Sequence, residues 1–114
     1  MKLVYIAGPY RAETPYQVEL NIRNAESVAI QVAEMGAAIC CPHTMTRHMD
    51  GLITDAYWLE ATLELMRRCD AVVVCPGWQS SQGTRAEIAE AERRQLPIFF
   101  APSDMFALWL GSES

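Results

Sequence analysis

The chain has 114 residues, 51% of them hydrophobic and 20% charged, and a net charge of −5. That length supports one domain around a single core. The acidic balance, with no Lys/Arg block, excludes a nucleic-acid polymer held by bulk positive charge. No run approaches the roughly 20 apolar residues of a membrane span, so no membrane partner is expected.

In chain order, Lys2 to Ala7, "KLVYIA", reads as a buried strand broken at Gly8-Pro9. The apolar start ends in Gly-Pro without a signal-like cleavage region, so it is taken as structure. Thr14-Pro15-Tyr16-Gln17 reads as a helix start, with Thr14 as N-cap, Pro15 at the first helical position and Gln17 reaching back in a capping box. Val18, Ile22, Ala25, Val28, Ala29 and Val32 continue at helical spacing up to Gly36. Ala37 to Cys41 is a second short strand closed by Pro42, followed by a loop holding His43, Thr44, His48, Asp50 and Gly51.

Residues 55 to 68 read as a second helix, with Leu59, Leu63 and Met66 on one face and Arg67-Arg68 in the last turn. Ala71 to Cys75 is a third, fully apolar strand. Thr84 to Gln95 is a third helix and Leu96 to Ala101 a fourth strand. Asp104 to Leu110 forms a last short helix before a frayed "GSES" tail. Cys40, Cys41, Cys69 and Cys75 read as buried free thiols of a cytoplasmic protein, because two are adjacent and one lies in a strand.

Strands alternating with helices, and apolar throughout, predict a parallel sheet covered on both faces. With right-handed crossovers this is an α/β flavodoxin-like three-layer sandwich of four or five parallel strands. Ligands in such folds bind beyond the carboxyl ends of the strands. Three clusters fall on that rim: Gly8-Pro9-Tyr10-Arg11, Pro42-His43-Thr44, and the stretch "GWQSSQGTRAE" at 77–87.

This last stretch places Ser81, Gln82 and Gly83 at the start of a helix, where free backbone N–H groups favour an anion. It is neither a Walker loop nor a GxGxxG fingerprint. Glu87 falls one turn into the helix, where the dipole is expected to keep it ionised, as suits a nucleophile or a stabiliser of an oxocarbenium-like centre. The competing reading is a favourable first-turn acid. Trp78 and Tyr10 are placed to line a pocket, and Trp78 to stack on a base or else cap the core edge. His43 is a candidate acid or base contact, or a histidine bonded to backbone. Asp70 is expected to anchor the turn into strand three.

Three pieces carry a resemblance that spans nearly the whole chain: "YIAGPYR" (5–11), "RRCDAVVVCPGW" (67–78) and Ser81-x-Gly83-x-x-x-Glu87. In this order they resemble the nucleoside 2-deoxyribosyltransferase-like family, which includes the 2'-deoxynucleoside 5'-phosphate N-hydrolases. With "CPHTMTRH" they are similar to a small bacterial and phage branch of it. The resemblance implies that Glu87 attacks the anomeric carbon of a deoxyribose, with Tyr5 beside the sugar. It implies that Gly8 and Arg11 form a first phosphate- and sugar-binding loop, and that Ser81 and Gly83 form a second that holds a 5'-phosphate. A small-molecule nucleoside or nucleotide is then the partner, and no metal or organic cofactor is implied.

One position departs from the pattern. The resembling family carries an Asp eight residues before the Asp that opens strand three; here it is Thr62. A non-catalytic nucleotide-binding module of the same fold is therefore the alternative. A homo-oligomer is expected by analogy, with Trp58, Trp109 and Phe106 as aromatic residues to bury between copies.

Overall fold

The strands form because their apolar runs pair side by side, and residues 4–7 and Ala71–Val74 are buried on both faces. The structure, a computed structural model, describes residues 1–46, 49 and 51–113; His48 and Asp50 of the second loop lie outside the described residues. Its elements run β1 (Leu3–Ala7), α1 (Pro15–Glu34), β2 (Ala38–Cys40), α2 (Pro42–Met45), α3 (Asp55–Arg67), β3 (Ala71–Val74), a 3-10 turn (Trp78–Ser80), α4 (Gln82–Arg93), β4 (Ile98–Phe99) and α5 (Asp104–Glu113). The sheet is parallel, in the order β2-β1-β3-β4. This is the α/β flavodoxin-like three-layer sandwich that the alternating pattern predicts, with four strands among the described residues.

Strand alternation divides the core in two. Val4, Ile6 and Val73 face α1 and α5, meeting Ala25, Val28, Ala29, Val32 and Phe106. Tyr5, Ala7, Val72 and Val74 face α3 and α4, meeting Met66, Ile88 and Ala91. Adjacent Cys40 and Cys41 fall into opposite halves, as a strand requires, and all four cysteines are buried free thiols. Asp70 anchors the entry to β3: its carboxylate accepts the Leu3 N–H at 2.8 Å.

Several local expectations are corrected. Thr14 does cap α1, accepting from the Gln17 N–H at 3.1 Å. The Gln17 side chain, however, donates forward to Asn21 Oδ1 instead of reaching back. The start of the second loop is a single helical turn, α2, begun by Pro42. The third helix begins at Gln82 because Ser81, and not a later residue, is its cap. The last helix continues through the expected frayed tail to Glu113. Phe106 is fully buried against Phe99 and Trp109 within the chain, so it is not left over for a second copy. The α5 helix puts it there by packing on the α1 side of the sheet.

Where β1 ends, backbone meets side chain closely. A Cβ on Gly8 would lie 2.8 Å from both Cβ and Sγ of Cys75 on the neighbouring strand's exit. Gly83, by contrast, has nothing within 4 Å of such an atom. Gly8→Ala is therefore expected to cost about 1–3 kcal/mol by overpacking, while Gly83→Ala stays within about 0.5 kcal/mol of wild type or improves on it. Urea denaturation of the two variants checks the contrast.

Candidate functional site

In the order β2-β1-β3-β4, the chain leaves β1 in one direction and reaches β3 on the other side, so the topological switch point lies between β1 and β3. A cleft of about 580 Å3 opens there, within the usual range of roughly 300–1,000 Å3 for small-molecule sites. It is lined from all three rim segments, by Gly8, Tyr10 and Arg11, by Pro42 and His43, and by Ser80 to Thr84 with Glu87.

The deepest chemistry is a pair. Tyr5, only 1% exposed, sits mid-strand in β1 and projects toward α4. Its hydroxyl donates to Glu87 Oε2. A buried tyrosine hydroxyl needs such a partner. Burial, and then the adjacent Glu87 charge, push the Tyr5 pKa far up, so it stays a neutral donor. Burial pushes the Glu87 carboxyl up to about 7, against the Tyr5 hydrogen bond, which pulls it down. The expectation that the helix dipole keeps Glu87 ionised is thus corrected: loss of water outweighs the dipole. Glu87 also lies further into α4 than expected, because the helix starts at Gln82.

Ser81 has a structural task at the cleft wall. Its Oγ accepts from the Thr84 N–H at 3.2 Å and from Thr84 Oγ1 at 2.8 Å, which caps α4. The Gln82 and Gly83 N–H groups lie in the first helical turn, where no intrahelical acceptor is available. Together with the open space at Gly83, this is a place an anion fits.

The first loop is held rigidly. Asn21 Nδ2 donates to the Tyr10 carbonyl at 3.0 Å, and His43 Nε2 lies 3.1 Å from the Gly8 carbonyl and 2.9 Å from that of Pro9. Two carbonyl partners require Nε2 to carry the proton. His43 Nδ1 is then the bare nitrogen, buried and without a partner. Burial lowers the His43 pKa, so the ring is a neutral clamp on the loop, edge-on to Tyr10 at 5.9 Å. Arg11 reaches across the mouth to Asp55 at 2.6 Å, both side chains well exposed.

Trp78 is not brought to the cleft. Gly77, at φ 86°, turns the chain so that Trp78 packs on the α3/α4 core half, tilted against Phe100 at 5.1 Å. In its place the cleft takes Asp55, Trp58, Leu59 and Thr62 from α3. Leu59, expected on the core face, is 49% exposed at this wall, and Trp58 buries its Nε1 there without a partner. Their spacing of three, four and seven residues is itself the mark of one helix face. Thr62 adjoins the Tyr5 hydroxyl and donates its own to the Leu59 carbonyl at 3.1 Å.

Glu87 makes stability depend on pH. Between the ordinary carboxylate value near 4.5 and about 7, the folded chain keeps a proton that the unfolded chain has lost. Stability therefore falls as pH rises through that window, and the full deficit is present above about 7. Glu87→Gln removes the dependence. It is expected to gain up to roughly 3 kcal/mol on wild type between pH 4 and pH 8, read by urea denaturation at the two pH values.

No curated protein matches the chain. A protein-family model described as a domain of unknown function, DUF7768, matches residues 2–101, a span that includes every cleft residue named above. The chain belongs to that family.

Proposed function

We propose that the chain cleaves or transfers at the N-glycosidic bond of 2'-deoxynucleosides or their 5'-monophosphates, with Glu87 as nucleophile. The observation that carries this reading is the Tyr5–Glu87 hydrogen bond at the cleft floor, beside a capped helix start with room for an anion. Tyr5 engages Oε2 and fixes the carboxyl plane, which leaves Oε1 to approach a sugar carbon. In the proposed step a Glu87 oxygen bonds to C1', the C1'–N bond breaks, and its electron pair leaves with the base, which takes a proton from solvent. The deoxyribosyl ester is then opened at C1' by water or by a second base, restoring the carboxylate. A 5'-phosphate is assigned to the Gln82–Gly83 N–H groups, with Arg11 at the mouth.

A second reading, a non-catalytic nucleotide-binding module, is favoured by Thr62. The position where the resembling family carries a carboxylate holds a hydroxyl bonded to its own helix, so no carboxylic acid stands there to protonate a leaving base. Under the catalytic reading, bases that depart readily as anions should be preferred for the same reason.

An HPLC assay for free base separates the two. Deoxynucleosides and their 5'-monophosphates are incubated with wild type and with Glu87→Gln, with and without an acceptor base. The proposal expects base release that falls by about a thousandfold or more in the variant, as for removal of a catalytic nucleophile. The wild-type rate should rise with pH up to about 7, as the carboxyl loses its proton. No release from folded wild type across the panel, together with ligand-induced thermal stabilisation, would establish the binding module.

A further inference from the structure

Helix α3 carries one wall of the cleft but is weakly anchored. Of its thirteen residues only Met66, in the last turn, is buried. Asp55, Trp58, Leu59 and Thr62, which line the cleft, lie in the turns before it and are exposed or half-buried. Apolar contact is non-directional, so by itself it leaves the tilt of α3 on α4 poorly fixed. The directional contact is a charge. Glu90, three residues after Glu87 and on the same side of α4, is 3% exposed. Its Oε2 accepts from Arg67 Nε of α3 at 3.0 Å and from Arg94 Nε of its own helix at 3.0 Å, and Arg93, also of α4, pairs with Oε1. Among the described residues, Arg67–Glu90 is the ion pair that joins α3 to α4. Arg93 and Arg94 already neutralise Glu90 from within α4, so charge balance does not call for Arg67. A buried ion pair also adds little stability over apolar side chains of the same size; what it can add is one defined geometry.

We propose that the Arg67–Glu90 bridge positions the site: it fixes the tilt of α3 against α4, and so sets how far the cleft wall limits the hydration of the Tyr5–Glu87 pair. Arg67 and Glu90 are positioning residues, and neither lines the cleft. At the cleft end of the same two helices, Thr62 adjoins the hydroxyl that Tyr5 donates to Glu87. Thr62 precedes Arg67 by five residues and Glu87 precedes Glu90 by three, roughly 7 Å and 4 Å along the axes. A change of tilt at the bridge is therefore felt at the pair within two turns. The inference concerns the hydration of the pair and holds for either reading of the cleft.

Carboxyl 13C NMR titration, with Glu87 assigned through Glu87→Gln, tests it. The titratable groups that face Glu87 are the Tyr5 hydroxyl of β1 and the Cys75 thiol just past β3. Burial holds Tyr5 well above its ordinary value and pushes Cys75 up to about 12, so neither titrates with Glu87, whose wild-type midpoint is expected at about 7. Arg67→Gln cuts the link and leaves Glu90 with Arg93 and Arg94. A freer α3 admits water to Glu87, and its proton affinity should fall at least about tenfold. Loss of a cation by itself would raise that affinity, so the sign separates the two causes. Arg67→Lys keeps the charge but not the planar fork and should show a smaller fall; it reads the same effect should Arg67→Gln fail to fold. A folded Arg67→Gln in which the Glu87 midpoint stays or rises, with only stability to urea reduced, would overturn the proposal. So would a wild-type midpoint already at the ordinary carboxylate value, since no limit on hydration would then be there to lose.

Discussion

A tyrosine in the middle of a buried parallel strand must find a partner for its hydroxyl, and the site follows from where that partner is available. Tyr5 is paired with Cys40 on one side and Val72 on the other, at the centre of the sheet. Its alternation in the strand aims it at the α3/α4 layer. There Glu87 and Thr62 are within reach of the hydroxyl, and Glu87 takes it. The result is a half-buried carboxyl group on the cleft wall at the switch point of the sheet, aligned by a neutral donor and poorly solvated. Each of these properties is a consequence of packing, and together they describe a group able to change its protonation near neutral pH.

The supports around the pair have a common character: side chains fasten backbone. Ser81 caps α4, His43 and Asn21 hold the first loop, and Asp70 ties β1 to the entry of β3. Such contacts contribute about 1 kcal/mol each, and those of Ser81, His43 and Asn21 fix loop positions at the carboxyl ends of β1 and β3, where flexibility would otherwise concentrate. Preorganisation of this sort is what a site needs if a remote group of the ligand is to set the geometry at the reacting carbon. It also accounts for the backbone role of His43: the nitrogen that carries its proton is shared between two carbonyls of the first loop.

The architecture was legible because it rests on period. Apolar runs bounded by Gly and Pro, separated by helical spacing, leave little choice of fold, and the residues that bracket the cleft follow from the strand ends. Gly8, Arg11, Ser81, Gly83 and Glu87 could be gathered on that basis, whereas Tyr5, in the middle of β1, was singled out only by the resemblance. Properties decided by long-range packing were not legible. Trp78 stands on the correct rim but a left-handed Gly77 turns it onto Phe100; Trp58, expected to be buried between copies, lines the cleft. The protonation of Glu87 depends on how far packing around it limits its hydration, which no local dipole argument contains. The start of α4 shifted for a chemical reason that could have been read: a Ser followed three residues later by a residue whose N–H it caps.

The central claim is that a Glu87 oxygen forms a bond to the anomeric carbon of a deoxyribose. The most direct measurement is mass spectrometry of the protein quenched during turnover of a deoxynucleoside monophosphate, followed by peptide mapping. The account predicts a mass gain of one sugar phosphate without its base, located on the peptide carrying Glu87 and released by added base or by water. Base release that proceeds with no adduct on Glu87, or with the adduct on another residue, would contradict it.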